Sequence, residues 1–311
     1  RINNSLVPIN IYLAVMISRR NFLRWMIGGS SLFAGAMSYA FALEPGFRMT
    51  TCHYKISPKA WPAGKKLRIA ALADPHIGEP YMSLARLERI VEKTNSLRPD
   101  LVVLLGDYVA GHRFISKPVK VRDAAKAFSY LKSPLGTYAI LGNHDWWDDR
   151  QAQLTKRGPV AAQNDLEAEG IPVLENDALK LSHKGQFFWL LGLGDQYAFP
   201  DKKRGYLGRD DLPNLMAKIT DDDPAILLAH EPDIFPEVSS RVSLTLCGHT
   251  HGGQIRLFGY SPIVPSKYGN RYAHGHIVEQ KRDLIVSGGL GCSILPVRFG
   301  MPPEITLIDL G

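Results

Sequence analysis

Nine residues able to bind metal ions or move protons fall in five short motifs: Asp74 and His76, Asp107, Asn143-His144-Asp145, His230, and His249 with His251. All offer oxygen or nitrogen, and none offers a thiolate. Imidazole with carboxylate suits Mn, Fe, Zn, Co or Ni. The donors suffice for two divalent ions, with a bridging carboxylate and room for a bridging water. His249 and His251 stand two apart in a glycine-rich turn, Gly248 to Gly253, whose glycines let the backbone bend closely.

Each motif directly follows an apolar run of strand length. Residues 67–73 (LRIAALA) precede Asp74, 101–105 (LVVLL) precede Gly106-Asp107, and 137–141 precede Gly142. Residues 225–229 precede His230, and 242–247 end just before Gly248. Continuous hydrophobicity predicts strands buried on both faces. Ser83 is a plausible N-cap, with Leu84, Leu87, Ile90, Val91 and Leu97 on one helical face. A second helix is predicted over 121–131, and one covering an edge within 151–170. Further strands are expected at 187–193, 254–257, 283–286 and 304–308. This order is α/β, one domain with two packed sheets. In a mostly parallel sheet the C-terminal strand ends share one edge, where ligand sites form.

The order D-x-H, GD, GNHD, H, GHTH resembles the calcineurin-like metallophosphoesterase superfamily, from about residue 67 to the C-terminus. "CGHTHGGQ" and "SILPVRFGMPPEITLI" (293–308), with the arginine pair near the start, are similar to its bacterial YaeI-type phosphodiesterase branch. The resemblance implies a four-layer α-β-β-α sandwich of two packed mixed β-sheets flanked by helices. It also implies two divalent metal ions per chain. Asp74, His76 and His251 would bind the first, Asn143, His230 and His249 the second, and Asp107 would bridge. His144 would face the substrate and assist the leaving oxygen, with Asp145 orienting its ring. A water between the ions would ionise near neutral pH and attack in line. Pro75 replaces the usual apolar residue of D-x-H, a position that is not a ligand. Ala110 stands where purple acid phosphatases carry a tyrosine ligand, so an Fe(III)–tyrosinate site is not expected.

The reaction class implied is phosphoester hydrolysis, with a phosphodiesterase first. The alternative is a pyrophosphate hydrolase cutting a lipid precursor of the UDP-2,3-diacylglucosamine type. A metal-free binding scaffold is the remote alternative; such a protein should lack ligands, and here none is missing. Candidate substrate contacts are Trp146 and Trp147, which directly follow the catalytic turn, and Arg298. Each has a structural alternative, packing under the loop for the tryptophans and an internal carboxylate for Arg298. Lys267, Arg271, His274 and His276 read as a solvated loop.

The chain has 311 residues and a formal net charge of +7. Four of those charges, Arg1, Arg19, Arg20 and Arg24, precede the first acidic residue, Glu44. The rest is only weakly basic, so no specific nucleic-acid partner is indicated. Ser18-Arg19-Arg20-Asn21-Phe22-Leu23 resembles a twin-arginine export signal. After Arg24 come nineteen uncharged residues, Trp25 to Leu43, and Ala40-Phe41-Ala42 is a small-x-small pattern of the kind signal peptidase cuts. Residues 1–43 are therefore read as a leader, engaging the export machinery or the inner membrane through 18–43, with the body periplasmic or anchored. Residues 44–64 are read as a connection and 65–311 as the catalytic domain. Met16 is a natural start, which would make the first fifteen residues upstream sequence. Cys52, Cys247 and Cys292 form no disulfide framework.

Overall fold

The apolar runs become strands whose alternate side chains enter different layers. The structure, a computed structural model, describes residues 18–311. The expected start at Met16 and the residues before it lie outside the described residues. The first sheet contains β1 (Thr50–Ile56), β2 (Leu67–Leu72), β3 (Leu101–Leu104), β4 (Thr137–Ala139) and β11 (Glu304–Leu310), in the order β1-β11-β2-β3-β4. The second contains β5 (Asp177–His183), β6 (Gln186–Gly192), β7 (Ala225–Leu228), β8 (Val242–Cys247), β9 (Gly275–Glu279) and β10 (Arg282–Val286), in the order β9-β10-β8-β7-β6-β5. Both sheets are mixed. β2, β3 and β4 are parallel while β11 runs antiparallel to β2. β6, β7, β8 and β10 are parallel, with antiparallel β5 and β9 at the edges.

Along β2, Ile69 and Ala71 join the core between the sheets, with Val103, Leu190, Ile226, Leu228, Leu244 and Ile308. Ala70 and Leu72 point the other way. There they meet helices α2 (Leu84–Ser96), α3 (Val121–Phe128) and α6 (Ala161–Ala168) through Leu87, Ile90, Phe128 and Leu166. On the outer face of the second sheet, Leu191, Leu227 and Val286 pack on Leu212 and Leu215 of α7 (Leu212–Ala217) and on Phe235. The architecture is the expected four-layer α-β-β-α sandwich. Ser83 caps α2 by accepting the Arg86 N–H at 3.2 Å. The helix expected within 151–170 is two, α5 (Arg150–Thr155) and α6, separated at Lys156, whose φ is +58°.

The chain divides into two units, one ending at Tyr39 and one spanning Ala40–Gly311. In the first, α1 (Arg19–Ser38) is capped by the Ser18 hydroxyl. The helical run Arg19–Phe47 is long and apolar enough to cross a membrane, an 18-residue stretch of it having mean hydropathy 1.3. Residues 44–64 are not the expected connection. They carry β1, which pairs in parallel with β11 over its full length. The Glu44 carboxylate accepts the Gly300 and Met301 N–H groups at 3.1 and 2.6 Å. The expected strand 254–257 is absent too. Gly253 and Gln254 both have positive φ (+78° and +58°), which turns the chain, and only isolated bridges remain at Ile255 and Leu257.

Candidate metal centre

Loops at the C-terminal strand ends of both sheets converge. Asp74 and His76 follow β2, Asp107 follows β3, and Asn143 opens the short helix α4 (Asn143–Trp147) after β4. His230 follows β7, and His249 and His251 follow β8. All seven are at most 8% exposed. One ligand atom each from Asp74, His76 and His251 lie within 4.8 Å of one another, and so do those of Asp107, His230 and His249. Asn143 Oδ1 is 3.0 Å from His249 Nδ1. Asp107 Oδ2 stands between the groups, 3.5 Å from His76 Nε2 and 3.2 Å from His230 Nε2. The seven expected ligands thus fall into two groups around one carboxylate.

The residues fit cations. Asp74 Oδ2, His230 Nε2 and His249 Nε2 are buried without a hydrogen-bond partner, a costly arrangement unless something charged lies between them. His76 and His251 bring their Nε2 atoms to 3.1 Å on nearly parallel rings. The other nitrogens are engaged. His76 Nδ1–H donates to Val109 O at 2.9 Å, and His230 Nδ1–H to Leu105 O at 2.7 Å, which leaves Nε2 as the nitrogen able to ligate, in His230 once its proton is displaced. Asp74, His76, Asp107, His249 and His251 all have φ between +41° and +68°. Non-glycine residues held there cost about 1–3 kcal/mol each and cluster at functional sites. Gly142 has the reverse need: a Cβ would lie 2.6 Å from His230 Cε1 and collide with the Asp107 carboxylate.

Burial holds His76 down to about 3 and His251 well below the ordinary histidine value, the latter helped by His76 and Arg298. Both rings stay neutral and able to ligate. Burial raises Asp74 to about 7. Burial also opposes a charge on His230, but the Asp107 carboxylate overcomes it and raises that ring well above its ordinary value. Asp107 is correspondingly held well below the carboxylate range by His230 and His144 against its own burial. Metal ions binding here would therefore have to displace protons from Asp74 and His230. Affinity is expected to fall as pH drops through 7, about tenfold per unit for each proton displaced. Competition with a chelating dye at pH 6, 7 and 8 measures this, and an affinity flat across that range contradicts it.

A family model for the calcineurin-like phosphoesterase matches residues 67–253, more than half of the chain. The chain belongs to the calcineurin-like phosphoesterases. Among curated members, the "Uncharacterized metallophosphoesterase YkuE" of Bacillus subtilis is 31% identical over 94% of this chain and 98% of its own length. "Phosphodiesterase YaeI" of Escherichia coli is 29% identical over 95% of this chain and 100% of its own. A zebrafish (Danio rerio) "Transmembrane protein with metallophosphoesterase domain" is 30% identical over 78% of this chain and 53% of its own.

Within this phosphoesterase, Asp145 departs from its expected role, Trp146 takes its packing alternative, and Arg298 takes neither of its two. Asp145 does not hold the His144 ring. Its buried carboxylate accepts the N–H groups of Asp107, Tyr108 and Gly142 at 2.8–2.9 Å, tying the loop after β3 to α4. Burial and Asp107 raise it to about 7. Trp146 is fully buried, edge-on to Phe199 and under the Arg209 guanidinium. Arg298 is also fully buried. It is not among the residues lining the cavity and donates, not to a carboxylate, but to the carbonyls of Gly288, Gly291 and Met301, with Nη2 3.2 Å from His251 Nδ1. Trp147 does face the cavity beside the metal-binding groups, its indole N–H bonded to Tyr197 O at 2.8 Å and its ring stacked on Tyr206. His144 also lines this cavity. Its backbone N–H donates to Asp107 Oδ1 at 2.9 Å, and its Nε2 lies 3.3 Å from Ser293 Oγ.

Asp195 and Glu231 went unforeseen. Both are buried and grouped with His230. Burial and Glu231 push Asp195 well above the carboxylate range. Asp195 follows β6 after a glycine, so the strand-end rule that found Asp107 applies to it equally.

Proposed function

We propose that the chain is a phosphodiesterase working with two divalent ions, one held by Asp74, His76 and His251, the other by Asn143, His230 and His249, with Asp107 shared. The carrying observation is the pair of buried ligand groups on either side of Asp107, with their unpartnered donor atoms. Bound there, the ions would supply charge neutralisation for the phosphoryl oxygens and a nucleophilic water that ionises near neutral pH. The chain's own contribution is orientation and proton transfer. Val109 O and Leu105 O fix two imidazole tautomers. Arg298 steadies the His251 ring and the 288–291 turn. His144, half-buried and pinned by Asp107, is placed to protonate the leaving oxygen.

A diester is favoured over a monoester by the wall opposite. The cavity, about 560 Å³, is lined by Trp147, Tyr206, Ile263, Ile294, Leu295 and others, and no Lys or Arg lines it among the described residues. A dianionic monoester would bring a second charge that no Lys or Arg of the wall meets, whereas the apolar wall accommodates a second ester group. That same wall favours the second reading, a lipid-bearing pyrophosphate such as UDP-2,3-diacylglucosamine.

The test is metal analysis with turnover of bis-(p-nitrophenyl) phosphate and UDP-2,3-diacylglucosamine, for wild type, Asn143→Ala and His249→Ala. Both variants are expected to lose at least about a hundredfold, since each removes a ligand. Full activity in both, or no bound metal under any loading, would sink the reading. The ratio of the two substrates selects between its forms.

The body is proposed to be exported or membrane-anchored. The twin-arginine-like motif and the apolar helical run support this, and anchoring is favoured by what surrounds the cleavage-like pattern. Ala40 O accepts the Arg298 N–H at 2.9 Å, and Phe41 O accepts the Tyr81 hydroxyl at 2.9 Å. Cleavage there would cut a segment bonded into the catalytic unit. N-terminal sequencing of protein recovered from membranes decides the point, since a terminus beyond Ala42 excludes an anchor.

A further inference from the structure

Cys52, His274 and Glu304 meet outside the candidate metal centre. Glu304 opens β11, and its side chain is 1% exposed. One carboxylate oxygen, Oε1, accepts the Gly288 N–H at 2.9 Å and the Thr306 hydroxyl at 3.0 Å. The other, Oε2, faces two metal-ligating atoms, Cys52 Sγ at 2.9 Å and His274 Nε2 at 3.0 Å. The three lie within 4.8 Å of one another. The His274 side chain is 19% exposed, so water reaches one side.

We propose that Cys52 Sγ, His274 Nε2 and Glu304 Oε2 form a separate binding site for one divalent cation of the zinc class, with water as fourth ligand. Sulfur, imidazole and carboxylate together suit Zn or Co and disfavour Mg, Ca and Mn. Tetrahedral bonds to such ligands place the donor atoms roughly 3.3–3.6 Å apart. The triad therefore needs to open by only about half an ångström, which side-chain rotation of half-buried Cys52 and His274 allows. On binding, the thiol proton leaves to solvent. One thiolate, one carboxylate and a doubly charged cation then make a neutral unit, the form least penalised by partial burial.

The position gives the site a purpose. Cys52 lies on β1, the edge of the first sheet, and Glu304 on its neighbour β11. His274 immediately precedes β9, the edge of the second sheet. An ion here links the open edges of the two sheets, on the flank where otherwise side-chain hydrogen bonds alone join them at these three residues.

Cobalt distinguishes this site from the catalytic one, because only Cys52 offers sulfur; every ligand assigned to the catalytic cluster is oxygen or nitrogen. The metal-free full chain is titrated with Co(II) and read by thiolate-to-cobalt charge-transfer absorption in the near ultraviolet. The band is expected to saturate at about one ion per chain, to be absent in Cys52→Ser, and to need at least about tenfold more cobalt in His274→Ala. Far-ultraviolet circular dichroism checks that the variants fold. Absence of the band in wild type overturns the site, whatever the variants do. So does a band undiminished in Cys52→Ser, which would assign it to Cys247 or Cys292. Neither readout depends on turnover, so the catalytic reading can fail while this one stands, and the reverse.

Discussion

Asp107→Asn is expected to lower metal-dependent turnover by about a thousandfold or more while the protein stays folded. Asparagine has the same shape, and its side-chain oxygen can still accept the His144 N–H that Asp107 Oδ1 accepts at 2.9 Å. What disappears is the charge. Asp107 is the carboxylate nearest both groups, 3.5 Å from His76 Nε2 and 3.2 Å from His230 Nε2. It is also what raises His230. Without it, two cations would lie side by side with Asp74 the one carboxylate left among the seven proposed ligands. A metal contributes several kcal/mol of charge stabilisation to such a reaction, and about 4 kcal/mol corresponds to a thousandfold. Metal content should fall by about one ion per chain, since a shared carboxylate is lost. Wild-type turnover with undiminished metal would remove Asp107 from the centre.

Asp145→Ala acts on the fold. Three backbone N–H groups, from Asp107, Tyr108 and Gly142, converge on this carboxylate at 2.8–2.9 Å in a site only 2% exposed. Alanine strands all three. An unsatisfied buried group costs about 1–3 kcal/mol, so a loss of about 3 kcal/mol or more is expected in urea unfolding of the metal-free protein. Because Asp107 and Gly142 bracket the centre, the loss should bring weaker metal binding with it. A stability change under about 1 kcal/mol would mean that water replaces the carboxylate and that the loops are tied elsewhere.

The contrast between these two aspartates shows what can be read from the chain. Asp107 is legible because β3 is an uninterrupted apolar run, so the strand's end and the residues just past it stand out in the sequence. The same holds for Asp74, His230 and the two histidines after β8. Asp145 is legible as a site residue but not in its role. Its partners are main-chain N–H groups, which look alike in every sequence. The role of Arg298 is hidden for the same reason, since backbone carbonyls take up its guanidinium. Trp146 and Trp147 are identical in type and adjacent, and only the orientation of α4 sends one into the core and the other to the cavity. β1 escapes notice because its sequence, TTCHYKI, is largely polar, and its strand partner among the described residues lies some 250 residues away, from Thr50↔Glu304 to Ile56↔Leu310. The half-exposed edge strands β5 and β9 show equally little apolar pattern.

Five residues of the centre with left-handed backbone, Asp74, His76, Asp107, His249 and His251, set stability and activity against each other. Glycine suits that backbone better than the residues found there. Selection for a sturdier fold alone would replace them, and most proteins are far enough from their stability optimum for such changes to be open. A descendant of this chain released from its reaction would therefore be expected to drift at these five positions early. Their backbone geometry makes them a record of whether the reaction is still under selection.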